Sequence, residues 1–232
     1  MKRKIYNELI KWKENTDNIK PLMVLGVRQA GKTYIIDEFC KREYKNYIYV
    51  NLLEQTDIIE LYNSNLTSLE KFNRLKLLLD FDIEKPDTIL FIDEIQESEK
   101  LISELKYFCE QHNNIRIVCA GSLLGVKLKR TKSAFPVGKV KMLNLYPMDF
   151  EEFLLAFNQD ALIEMIRDCY NNNKPMGTSV HTKAMNLYRT YLFTGGMPES
   201  VSNMLRANGD YIKYDKSILN DILNNTKGED NE

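Results

Sequence analysis

Up to about residue 145 the chain alternates short apolar runs with longer segments whose apolar residues recur every three to four positions. The short runs, Pro21–Leu25, Tyr47–Leu52, Thr88–Ile92, Ile115–Ala120 and Val137–Leu145, predict β-strands. Most are apolar without alternation, the pattern of strands covered on both faces. Between them, Ile5–Trp12, Lys32–Tyr44, Leu66–Leu79 and Leu101–Gln111 carry helical spacing, with Ile35, Ile36 and Phe39 sharing one side of the second. Strands alternating with helices predict an α/β fold: a parallel sheet with helices on both faces.

Beyond Pro147 the short apolar runs stop. Asp149–Phe157, Asp160–Tyr170, Thr182–Phe193, Glu199–Ala207 and Tyr211–Leu223 all predict helices, and Asn171–Pro175 predicts a loop. Asp149, with Glu151 and Glu152 just after it, is a natural N-cap with an acidic first turn. The expected organisation is a first domain over 1–147, a smaller all-helical part over 148–224 and a polar tail over 225–232.

The length of 232 residues suits one full domain plus a smaller one. Hydrophobic residues at 44% and charged residues at 28% exclude a disordered or fibrous chain. Lys and Arg number 32 against 33 Asp and Glu, so overall charge gives no pull toward nucleic acid. One basic stripe remains: Lys127, Lys129, Arg130, Lys132, Lys139 and Lys141. It reads as a DNA-contacting face, a surface turned to a neighbour's phosphates, or a solvated loop. No apolar run approaches the roughly 20 residues of a membrane span. Cys40, Cys109, Cys119 and Cys169 form no C-x-x-C pair and read as reduced apolar fillers in a cytoplasmic protein. His112 and His181 have no chemical partner nearby in sequence and read as surface residues.

The chemistry concentrates at three strand ends. Gly26-Val27-Arg28-Gln29-Ala30-Gly31-Lys32-Thr33 matches G-x-x-x-x-G-K-[ST], the Walker A phosphate loop, between a strand and a helix. Its glycines let backbone N–H groups turn inward, and the next helix, opening through Lys32, Thr33 and Tyr34, adds its positive end. Lys32 would reach the β- and γ-phosphates and Thr33 would ligate Mg²⁺. Thr88–Asp93-Glu94 is four apolar residues ending in paired acids, a Walker B pattern, at the sheet edge where open α/β folds bind ligands. Asp93 would organise the same Mg²⁺, and Glu94 would polarise water for attack on the γ-phosphate. A third strand ends at Gly121-Ser122, making Ser122 a candidate sensor of that phosphate.

Together Gly26–Thr33, Leu90–Gln96 and Ala120–Leu123 resemble the AAA-type predicted ATPases of prokaryotes, a P-loop ATPase domain joined to a restriction-nuclease-like C-terminal domain. Phe135–Val140, Leu145–Phe153 and Tyr188–Glu199 are similar to that family's later motifs, so the likeness runs from about Ile5 to Asp221. It implies an additional-strand P-loop sheet in which the strand ending at Ser122 lies between the Walker A and Walker B strands. It implies Mg²⁺-dependent ATP hydrolysis, and a phosphate-adjacent role for Arg28. Gly195-Gly196-Met197-Pro198 also resembles the G-x-P motif of STAND-type signalling ATPases, which would set Pro198 against the adenine with Gly196 allowing close approach. Members of the group run longer, so the resemblance implies that this chain is C-terminally truncated. No arginine finger is identifiable, which leaves self-association or a protein partner to supply one. The alternative reading is a nucleotide-controlled switch with little turnover, bound to ATP or ADP, with DNA association as a further option.

Overall fold

The computed structural model describes residues 1–17, 19–122 and 136–227, the last three as backbone only. Among these, five strands form one parallel sheet: β1 (Leu22–Leu25), β2 (Asn46–Asn51), β3 (Thr88–Asp93), β4 (Arg116–Gly121) and β5 (Lys141–Asn144). Their order is β2-β3-β4-β1-β5. β4 therefore sits between β1 and β3, with Leu25 level with Gly121 and Ile92 level with Cys119. The flanking helices are α1 (Ile5–Glu14), α2 (Lys32–Glu43), α3 (Thr56–Asn63), α4 (Ser68–Leu78) and α5 (Glu99–Gln111).

Every residue of β3 is buried, as its unbroken apolar run requires. Leu90 and Ile92 join a cluster with Ile58, Phe72, Leu75, Leu105 and Phe108 from α3, α4 and α5. Strand alternation sends Ile89 and Phe91 to the opposite face. Each such side chain stabilises the fold by roughly 1.5–3 kcal/mol through burial. Phe39 of α2 packs edge-on against Tyr6 of α1 and is tilted against Trp12.

The chain divides into two compact units. One comprises Ile5–Val27 and Gly31–Leu145, the sheet and α1–α5. The other comprises Met1–Lys4, Arg28–Ala30 and Tyr146–Glu232. Its helices are α6 (Phe150–Ala156), α7 (Asp160–Asn171), α8 (Thr178–Thr194), α9 (Pro198–Arg206) and α10 (Ser217–Lys227). They enclose small cores, one of Met148, Phe153 and Val201 and another of Leu154, Leu162, Ile163 and Ala184. Asp149 caps α6 as expected: its carboxylate accepts from Glu152 N–H at 2.8 Å in a reciprocal capping box.

Several elements differ from their sequence-based outlines. The last strand covers Lys141–Asn144 rather than Val137–Leu145. Pro136, which has no N–H, and Gly138, at φ 77°, shape a turn before it. α3 has eight residues and no strong cap, so its short periodicity carried no signal. The segment Tyr211–Leu223 is not one helix. Asp215 accepts hydrogen bonds from the Ser217 N–H and hydroxyl, and α10 starts only there.

Candidate functional site

β1 delivers the chain into the Gly26–Thr33 loop at the sheet's C-terminal edge. A Cβ on Gly26 would lie 2.3 Å from the Leu145 carbonyl oxygen, so only glycine fits beside β5. Gln29 at φ 61° and Gly31 at φ 86° put left-handed turns into the loop, the backbone form of an anion nest. α2 then opens with no side-chain cap and no acid in its first turn, which leaves its first N–H groups suited to an anion. Lys32 is buried, and its ammonium donates to the Gly26 and Val27 carbonyls at 2.8 and 2.9 Å. Thr33 and Tyr34 are exposed at the start of the helix.

Arg28, Gln29 and Ala30 cluster with the helical unit. There the Arg3 guanidinium donates to the Ala30 carbonyl at 3.0 Å and the Tyr146 carbonyl at 2.6 Å, and its Nε lies 3.2 Å from Glu152. Sequence reasoning missed Arg3, because a lone arginine in a basic N-terminus belongs to no motif.

β3 ends in the second part of the site. Burial pushes the Asp93 carboxyl up, against hydrogen bonds from the Thr33 hydroxyl, the Glu94 N–H and Tyr49 that favour its anion. The Glu94 N–H donates to one Asp93 oxygen at 3.0 Å and the Tyr49 hydroxyl to the other at 3.2 Å. Burial, with the Asp93 charge next, pushes the Tyr49 hydroxyl up to about 12. Tyr49 escaped sequence reading because aromatic residues suit a strand without any chemical task. Glu94 takes a left-handed conformation, φ 53°, which for a non-glycine residue marks a constrained position. Its carboxylate accepts a hydrogen bond from the Gln96 amide. Ser122 is buried at the end of β4, and its N–H donates to the Gln96 side-chain oxygen at 3.3 Å.

Lys32, Thr33, Asp93, Glu94 and Ser122 thus come from three adjacent strand ends. The residues fit a hard divalent cation. Thr33 and Asp93 present a hydroxyl and a carboxylate, an all-oxygen pair of the kind Mg²⁺ prefers, and the Thr33 hydroxyl favours the Asp93 anion. Among the described residues, no group of three or more His, Cys, Asp and Glu side chains is placed to hold a metal ion.

Gly196 and Pro198 lie in the helical unit. Pro198 is the first residue of α9, where its missing N–H costs nothing. A Cβ on Gly196 would lie 2.2 Å from the Met148 carbonyl oxygen, and Met148 N–H donates to the Gly196 carbonyl at 2.6 Å. The glycine is therefore required by its own unit's backbone. Of the basic stripe, Lys127, Lys129, Arg130 and Lys132 lie outside the described residues, as do Leu123 and Phe135. Lys139 pairs with Glu110 at 2.9 Å. His112 is not a plain surface residue: it stacks on Phe72 with ring centroids 3.8 Å apart. The four cysteines are free thiols, and Cys40, Cys109 and Cys119 are buried. Among the described residues no helix is long and apolar enough to cross a membrane.

A parallel sheet with an extra strand between its phosphate-loop and acid-bearing strands defines a P-loop α/β nucleotide-binding domain. Residues 18–154 match the model of the AAA domain family, and the chain belongs to that family of nucleotide-binding ATPases. The uncharacterized protein MJ1544 of Methanocaldococcus jannaschii is 25% identical over 199 residues, 85% of this chain. The chain spans 40% of the length of that relative. The fold is shared with the Walker-type ATPase PABY2304 of Pyrococcus abyssi, at a TM-score of 0.54 and 18% identity over 97% of this chain and 72% of the other.

Proposed function

We propose that the chain binds ATP with Mg²⁺ through Gly26–Thr33 and hydrolyses it to ADP and phosphate. The observation that carries this reading is the convergence of Lys32, Thr33, Asp93 and Glu94 at the ends of neighbouring strands on one sheet edge. The loop's inward N–H groups and the start of α2 bind the phosphate oxygens, and the Lys32 ammonium balances β- and γ-phosphate charge. Thr33 and Asp93 would hold Mg²⁺, which supplies charge neutralisation at the phosphates when bound. Glu94 orients a water and takes its proton as the water oxygen attacks the γ-phosphorus. The bond from that phosphorus to the bridging oxygen breaks, and ADP leaves. Ser122 contacts the γ-phosphate or the attacking water. The free thiols and the need for ATP suit the cytoplasm.

The test is steady-state phosphate release from MgATP, with nucleotide affinity measured separately. Lys32→Ala should lose binding. Glu94→Gln should keep binding and lose turnover by a factor of about 10² or more, the scale of general-base loss. Wild-type rate and affinity in Lys32→Ala would remove the phosphate-site assignment. Tight binding by the wild-type chain without turnover would favour a nucleotide-controlled switch instead.

A further inference from the structure

Gln96 stands between the two strand ends that bear Glu94 and Ser122, yet the hydrolysis step gives it no task. It lies in a single 3₁₀ turn, Ile95–Glu97, directly after the paired acids. The turn is held firmly. Ile95 is fully buried in the main core, Glu97 N–H bonds to the Glu94 carbonyl at 3.0 Å, and Ser98 N–H bonds to the Ile95 carbonyl at 3.2 Å. From this anchor the Gln96 amide nitrogen donates to the Glu94 carboxylate, and its oxygen accepts the Ser122 N–H at 3.3 Å. The nitrogen also lies 3.4 Å from Glu97.

A side-chain amide can donate to a carboxylate at its nitrogen and accept from a backbone N–H at its oxygen, and Gln96 uses both atoms in this way. A carboxylate in its place could accept but not donate, and a hydroxyl could not reach both groups. Glu94 itself sits in a left-handed backbone conformation, and its carboxylate accepts from the Gln96 amide. The geometry points to Gln96 as a positioning residue: it fixes the Glu94 carboxylate and ties it to the end of β4, where Ser122 stands. This inference rests on the reading of Glu94 as the base for hydrolysis. Gln96 acts through Glu94 and touches no phosphate, so its loss reduces turnover while leaving nucleotide binding unchanged.

The experiment compares wild type, Glu94→Gln, Gln96→Met and Gln96→Glu by steady-state phosphate release from MgATP, with affinity for a fluorescent ATP analogue read separately. Gln96→Met keeps the length without polar atoms. Gln96→Glu keeps the acceptor for Ser122 but removes the donor and adds a like charge. Both should lower kcat tenfold or more, with KM and the analogue Kd within twofold of wild type, and with unchanged melting temperature. A general loss of structure would move Kd and melting together with kcat. If wild type turns over, Glu94→Gln does not, and both Gln96 variants keep wild-type kcat, the positioning role is wrong while the hydrolase reading stands. It is equally overturned if the variants lose affinity in step with rate. If wild type shows no turnover, or Glu94→Gln keeps it, the hydrolase reading fails and this inference falls with it.

Discussion

At the scale of single residues, the site is shaped by close approaches as much as by charges. Gly26 has two roles that a motif reading merges: it opens the phosphate loop, and it lets β5 pass, with Leu145 N–H bonded to the Leu25 carbonyl at 2.7 Å. A methyl group there would lie 2.3 Å from a backbone oxygen, which cannot swing aside as a side chain could. Gly26→Ala is expected to destabilise the sheet unit by about 1–3 kcal/mol, the range of overpacked sites, and to weaken nucleotide binding. Chemical denaturation and a binding titration check both; an unchanged midpoint would show that β5 yields at no cost. Tyr49 and Gln96 make the complementary point. Each holds one of the paired acids through a hydrogen bond, and neither belongs to a phosphate-binding signature.

At the scale of elements, caps and turns decide where helices begin. Asp149 ends the extended segment before α6 and accepts from Glu152 N–H, while Lys4 lies 2.6 Å from its other oxygen. Burial pushes its carboxyl up, but the Lys4 and backbone hydrogen bonds outweigh that and hold it below the ordinary carboxylate range. A carboxyl with a lower folded than unfolded pKa binds more protons when unfolded. Its contribution is therefore present above the unfolded value near 3.8 and is lost as pH falls through the folded one. Asp149→Ala should cost about 1 kcal/mol at neutral pH, the usual value of an N-cap. Melting curves of the variant should also lose part of the wild type's decline in acid, below the unfolded value. An equal acid dependence in the two proteins would mean that Asp149 is not linked to stability. The capping acid was legible because Asp with Glu three residues later is a local code. The division of Tyr211–Leu223 was not, because the break depends on Asp215 turning back onto Ser217, and apolar spacing runs straight through it.

At the scale of the whole molecule, a nucleotide bound to the folded sheet unit should stabilise it by mass action. MgATP at about a hundredfold its Kd should add about 2.7 kcal/mol, seen as a rise in melting temperature that grows with nucleotide concentration. Lys32→Ala should abolish the rise. A shift of equal size in the variant would place the nucleotide elsewhere.

The sequence by itself determined the alternation of five strands with the helices α1, α2, α4 and α5 up to Leu145, though not α3, the helical character of the chain beyond Pro147, and the positions of Lys32, Thr33, Asp93 and Glu94 at strand ends. These are local properties: periodicity over one element, a glycine-rich turn, acids closing an apolar run. Only the tertiary structure decided which residues from distant segments meet. Tyr49 reaches Asp93 across 44 positions, Ser122 reaches Gln96 across 26 and Arg3 reaches Ala30 across 27. It also supplied the reason for Gly196, the passage of Met148. The physical cause is that hydrogen bonds and steric limits act between atoms a few ångströms apart. Strand order and register bring those atoms together, and neither is written within any one element of the chain.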